Sequence, residues 1–185
     1  MFMNFSKLSV LVVEDSPAMR QLLADLIQTL GVGSVFTAAN GKEGYDEYVL
    51  RLPDIIITDW HMPGIDGLQF IEKVRKNPDS PKRTVPIIMI SGFAAPPRVE
   101  KARDFGITEY LVKPFKAQDI ARRISHAINQ PRDFILTSEF VGPDRRRRKD
   151  DTKKGQARRE VDIEKNEKNI EHQKPKRPRK PHRKI

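Results

Sequence analysis

Val10-Leu11-Val12-Val13-Glu14-Asp15-Ser16-Pro17 is the stretch from which the architecture is read. Its apolar run is short, rich in β-branched residues and continuous rather than alternating, as in a strand buried on both faces of a parallel sheet. It ends abruptly on two carboxylates. Ser16 then suits a helix cap and Pro17 a first helical turn. Met19, Leu22, Leu23, Leu26, Ile27 and Leu30 follow at spacings of three and four, one apolar face of a helix, and Gly31 suits its stop. The unit is a strand, a polar corner and an amphipathic helix.

The same unit recurs. Val35-Phe36, Ile55-Ile56-Ile57, Ile87-Ile88-Met89-Ile90 and Tyr110-Leu111-Val112 read as further strands. Tyr45, Tyr48 and Val49 mark a second helix; Leu68, Ile71 and Val74 a third, broken by Asn77-Pro78. Val99, Ala102 and Phe105 mark a fourth, ended by Gly106, and Ile120, Ile124 and Ile128 a fifth, ended near Pro131. Five strand–helix units imply an α/β fold: an open five-stranded parallel sheet covered by helices on both faces.

Charge divides the chain. Of its 35 Lys and Arg and 25 Asp and Glu, the first 130 residues carry 16 and 15, so the last 55 residues hold 19 and 10. The expected organisation is a nearly neutral domain over residues 6–130 and a basic extension over 131–185. The extension has too few large apolar residues to offset its ordering entropy, so it is expected to be largely disordered alone. Its exception is 134–148, a candidate docking or ligand motif: Phe134-Ile135-Leu136, Phe140-Val141, the turn signal Gly142-Pro143-Asp144, then Arg145-Arg146-Arg147-Arg148.

No apolar run approaches the roughly 18 residues of a membrane span. The run Val10–Val13 is also too short for a signal peptide. The 185 residues contain no cysteine, which removes disulfides, thiolate zinc sites and cysteine nucleophiles. A cytoplasmic protein without membrane insertion is expected. Gly31-Val32-Gly33 lacks a third glycine and follows a helix, so it is no dinucleotide loop, and the four histidines lack zinc-ligand spacing.

Open parallel sheets bind ligands beyond the carboxyl ends of their strands. The residues there are Glu14 and Asp15, Asp59, Ser91 and Lys113. Such an oxygen-rich set suits Mg²⁺. A carboxylate such as Asp59 can then attack phosphorus, with Lys113 neutralising developing charge.

From about Leu8 to Asn129 the chain resembles the response-regulator receiver domain, the CheY-like module of two-component signalling. The resemblance rests on Val12-Val13-Glu14-Asp15-Ser16, on Ile57-Thr58-Asp59-Trp60-His61-Met62-Pro63-Gly64-Ile65-Asp66-Gly67, on Ser91-Gly92 and on Lys113-Pro114-Phe115. It implies strand order 2-1-3-4-5 and phosphorylation of Asp59 by a histidine kinase or phosphotransfer protein. Asp15, Asp59 and the Trp60 backbone carbonyl would hold Mg²⁺, with Glu14 acting through water. Ser91 would turn to the phosphoryl oxygen, Tyr110 would follow as a rotamer switch, and Lys113 would pair with the phosphoryl group before a cis Lys113-Pro114 bond. His61 overlooks the site as a candidate modulator of dephosphorylation. The segment Asn77 to Pro86 is slightly longer than usual for the family, which reshapes the surface only, and Gly92 keeps the phosphoryl site open.

The resemblance implies a stand-alone receiver, not an enzyme acting on an outside substrate. Its output would be a downstream protein target, with a phosphorylation-dependent homodimer through the fourth and fifth helices as one form. The stretch from Phe140 to Arg148 is similar to arginine-rich extensions of stand-alone receivers that bind cyclic di-GMP. Nucleic acid held by counterion release, an acidic protein surface, or a merely solvated tail are the other readings of Arg145, Arg146, Arg147 and Arg148. An unrelated reading is a Mg²⁺-dependent haloacid-dehalogenase-like hydrolase. Those enzymes place a second acid two residues after the nucleophile, where this chain has His61.

Overall fold

The computed structural model describes residues 4–137 and 140–145. Its sheet contains β1 (Ser9–Val13), β2 (Ser34–Ala38), β3 (Ile55–Asp59), β4 (Ile87–Ser91) and β5 (Glu109–Val112). They are parallel and ordered β2-β1-β3-β4-β5. The helices are α1 (Pro17–Thr29), α2 (Gly41–Arg51), α3 (Gly67–Lys76), α4 (Pro96–Asp104) and α5 (Ala117–Asn129).

Alternation along each strand sorts the core into two layers. Val10 and Val12 join Ile55, Ile57, Ile88 and Ile90 against Leu23 and Ile27 of α1 and Ile120 and Ile124 of α5. Leu11 and Val13 join Ile56, Ile87 and Met89 against Tyr45 and Tyr48 of α2, Phe70, Ile71 and Val74 of α3, and Ala102 of α4. Every residue of β3 and β4 is buried, as their continuous apolar runs require. Each large apolar side chain so buried contributes roughly 1.5–3 kcal/mol.

The helices begin and end where their local chemistry dictates. Ser16 accepts the Met19 N–H at the start of α1, and Gly31, at φ 82°, follows its end. Asp66 and Gln69 form a reciprocal capping box on α3. Two apolar residues depart from the expected faces. Leu22 is 48 % exposed and Val49 44 % exposed, because α1 and α2 flank the edge strand β2, where the sheet is too narrow to cover the whole stripe.

Beyond α5 the chain forms a second, two-stranded antiparallel sheet, β6 (Phe134–Leu136) with β7 (Val141–Pro143). Gly142-Pro143, expected as a turn, instead lies in β7 opposite Ile135 and Phe134. The backbones of Thr137 and Phe140 are joined by Thr137 N–H donating to Phe140 O at 2.9 Å. By contacts the chain divides into residues 1–145 and 146–185, and the latter lie outside the described residues. Among the described residues no helix is long and apolar enough to cross a membrane.

Candidate functional site

Parallel strands bring their carboxyl ends to one edge, and the polar residues named from the sequence meet there. Glu14 and Asp59 are buried and Asp15 half-buried. One carboxylate oxygen from each of the three lies within 4.8 Å of the others. The Lys113 ammonium sits between two of them, 2.6 Å from Asp59 Oδ1 and 2.9 Å from Glu14 Oε2. Its backbone N–H donates to Ser91 O at 2.8 Å, which carries the lysine across from the end of β4. Lys113–Pro114 is cis.

Burial pushes the Glu14 carboxyl upward; the Lys113 hydrogen bond pulls it down and the charge of Asp59 pushes it up again, leaving a net rise. Burial lowers Lys113, but its bonds to Asp59 and Glu14 outweigh that and the net shift is upward. The lysine therefore stays a cation at neutral pH.

Around this cluster the backbone is held tightly. His61 N–H donates to Asp59 Oδ2 at 2.7 Å. The Trp60 carbonyl accepts Gly67 N–H at 2.9 Å, which leaves it a second lone pair for another partner. Only glycine fits at 67, since a Cβ there would run into the Asp59 carbonyl and come 3.0 Å from Trp60 Cα. The start of α3 is thereby pressed onto the end of β3.

Ser91 and Tyr110 are linked through one intervening residue. Ser91 Oγ accepts the Phe93 N–H at 3.2 Å, and the Tyr110 hydroxyl donates to the Phe93 carbonyl at 2.7 Å. The Tyr110 ring also meets Trp60 edge-on, with centroids 6.5 Å apart.

Three side chains at this edge were not anticipated. Arg20 donates from α1 to the carbonyls of Glu14 (2.7 Å) and Asp15 (3.2 Å), bracing the acidic corner. Its position one turn past Ser16 was the available signal. Arg98 of α4 bonds His61 Nε2 at 3.0 Å and lies 4.0 Å from the Phe93 ring centroid. No sequence spacing announces Arg98 or Phe93: Arg98 meets His61 through the packing of α4, and the Phe93 ring, in the link after β4, meets the His61 ring edge-on with centroids 5.6 Å apart.

Of the four consecutive arginines, Arg145 is described: it pairs with Asp104 and its guanidinium lies 4.6 Å from the Phe140 ring centroid. Arg146, Arg147 and Arg148 lie outside the described residues, as does the rest of the extension beyond Arg145.

The chain is similar to known proteins. The family described as the response regulator receiver domain matches residues 10–125. The transcriptional regulatory protein PdtaR of Mycobacterium tuberculosis is 34 % identical over 125 residues, 68 % of this chain and 58 % of that protein. The chain therefore spans little more than half of that relative. The chemotaxis protein CheY1 of Helicobacter pylori is 34 % identical over 118 residues, 63 % of this chain and 94 % of that protein. Among solved structures, the chemotaxis response regulator CheY4 of Vibrio cholerae superposes with a TM-score of 0.61 at 30 % identity, covering 65 % of this chain and 98 % of that one.

Proposed function

The chain belongs to the response regulator receiver family, and on that premise we propose that Asp59 accepts a phosphoryl group from a histidine kinase or phosphotransfer protein. The carrying observation is the Lys113 ammonium 2.6 Å from Asp59, beside three acidic side chains whose oxygens converge within 4.8 Å. An Asp59 oxygen attacks the donor's phosphorus, a P–O bond forms, and the donor nitrogen leaves with its bonding electron pair. Lys113, already oriented by Glu14, meets the negative charge gathered on the phosphoryl oxygens. Water attacking phosphorus later restores the carboxylate and releases inorganic phosphate. The chemistry ends on the protein's own side chain, so this is signalling rather than turnover of an outside substrate.

The donor set is all oxygen, partly buried and anionic, which fits a hard divalent cation. Asp15, Asp59 and the Trp60 carbonyl would hold Mg²⁺, with Glu14 acting through water. When bound, the ion would offset carboxylate repulsion and the charge of the incoming phosphoryl group.

The switch reading is supported by the Phe93 peptide. Ser91 holds its N–H and Tyr110 its carbonyl, so a Ser91 hydroxyl that turns to a phosphoryl oxygen releases the group that fixes Tyr110. The change passes to α4, β5 and α5, the surface proposed to contact a downstream protein or a second copy.

The test is acetyl phosphate with Mg²⁺, followed by intact-mass measurement. Wild type should gain one phosphoryl group and Asp59→Asn none. An adduct on both proteins, or on neither, overturns the assignment.

A further inference from the structure

The segment after α5 does not pack at random on the domain. Several of its contacts fall on the six residues from Asp104 to Glu109 that join α4 to β5, and Phe134 lies against Arg75 of α3. Arg132 Nη2 donates to the Thr108 carbonyl at 2.9 Å and reaches Glu109 Oε1 at 3.3 Å. Arg145, at the far end of the hairpin, pairs with Asp104. Between them two glycines cross. A Cβ on Gly142 would lie 2.6 Å from Gly106 Cα, and one on Gly106 would lie 2.5 Å from the Val141 carbonyl. Backbones approach so closely only where neither residue carries a side chain.

This grip is shallow. Each hairpin strand has three residues and Leu136 is 62 % exposed, although Phe140, Gly142 and Pro143 are buried, and a two-stranded ribbon by itself is marginal in water. Beneath it Arg75 is fully buried, with its guanidinium carbon 5.3 Å from the Phe134 ring centroid. Arg75 Nε donates to the Gly106 carbonyl and Nη1 to the Arg83 carbonyl, while Nη2 has no hydrogen-bond partner among the described residues. Burying a guanidinium with an unmet donor costs free energy.

The gripped connection is also mechanically placed. It runs from the last residue of α4 into the first of β5, directly before Tyr110, and Ser91 pairs with Val112 one strand away. We propose that residues 132–137 and 140–145 form an intramolecular strap whose grip on the Asp104–Glu109 connection opposes phosphorylation of Asp59. The proposal rests on the phosphoacceptor reading above. The grip matches the arrangement in which Ser91 takes the Phe93 N–H. When Ser91 turns away and Tyr110 and α4 follow, the two ends of the strap no longer meet their anchors together. Phosphorylation thus loosens the strap, and by linkage a loosened strap favours the phosphorylated arrangement.

Amide hydrogen exchange on the full chain tests this, with and without Mg²⁺ and beryllium fluoride as a phosphoryl mimic on Asp59. Exchange across residues 134–143 should quicken by about 5-fold or more when the mimic binds. Gly142→Val, whose side chain cannot pass Gly106, should bind the mimic more tightly by a similar factor. Phe134→Ala spares the crossing and should move both readouts the same way but less, which guards against simple loss of fold in the valine variant. Unchanged or slower exchange at 134–143 with the mimic bound overturns the strap. Failure of wild type to bind the mimic counts against the phosphoacceptor reading instead. The strap is then judged on Gly142→Val alone: faster exchange at both 134–143 and 110–112 supports it, and faster exchange confined to the hairpin overturns it.

Discussion

Asp59 and Glu14 are buried within a few ångströms of each other, and the side chain placed directly between them is Lys113. Removing the ammonium leaves two buried acids facing one another without their cation. Lys113→Met is therefore expected to lower stability in metal-free buffer by about 3 kcal/mol, the low end for a broken buried pair, because the lysine is partly exposed. Added Mg²⁺ should recover more melting temperature in the variant than it adds to wild type, since the ion takes over the missing charge. An equal Mg²⁺ increment in both, measured by calorimetry, would separate the lysine from the acidic cluster. Glu14, Asp15, Asp59, Ser91 and Lys113 were all legible from the chain, because each lies within two residues of the end of an apolar run and parallel strands must end at one edge. Arg98 was not. Its bond to His61 depends on where α4 rests, and nothing within a few residues of either partner specifies that.

Elements carry the next level of control. The α3 helix begins on an Asp66–Gln69 capping box and its first residue, Gly67, holds the Trp60 carbonyl. Asp66→Ala removes one half of the box and is expected to cost about 1 kcal/mol in urea unfolding, with an unchanged m-value. The phosphoryl adduct should still form. A loss of adduct without a loss of stability would mean that Asp66 acts in the chemistry rather than in the cap. Helix periodicity predicted all five helices, but it overstated what they bury. Leu22 shares the spacing of Leu23 and Ile27 yet faces solvent, since spacing gives the direction of a side chain and not the extent of the sheet beneath it.

Across the molecule, the end of the sheet opposite the acidic cluster is organised by Glu109. Its buried carboxylate receives Arg123 at 2.9 Å, His126 at 2.7 Å and Arg132 at 3.3 Å, joining β5, α5 and the segment that leads to the hairpin. Glu109→Gln keeps the shape and removes the charge. It should destabilise the protein by about 2 kcal/mol, the loss expected for charge-assisted hydrogen bonds. It should also speed exchange at residues 134–143, because Arg132 loses an anchor. Unchanged exchange there would show that the hairpin is held from its other end, by Asp104 and Gly106.

The class of fold and the acidic corner follow from local order along the chain. Apolar runs of strand length, each ending on a polar residue and followed by a helical stripe, admit few arrangements other than a covered parallel sheet. The extension is different. Its net charge argued for separating it from the domain near residue 130, whereas Arg132, Gly142 and Arg145 meet the α4–β5 connection. Composition counts charge and apolar area, but this association rests on two glycine backbones that can cross and on single ion pairs between residues 23 and 41 positions apart. Such contacts add almost nothing to a composition, and they exist only once the sheet has brought Asp104, Gly106 and Glu109 to the place where the returning chain passes.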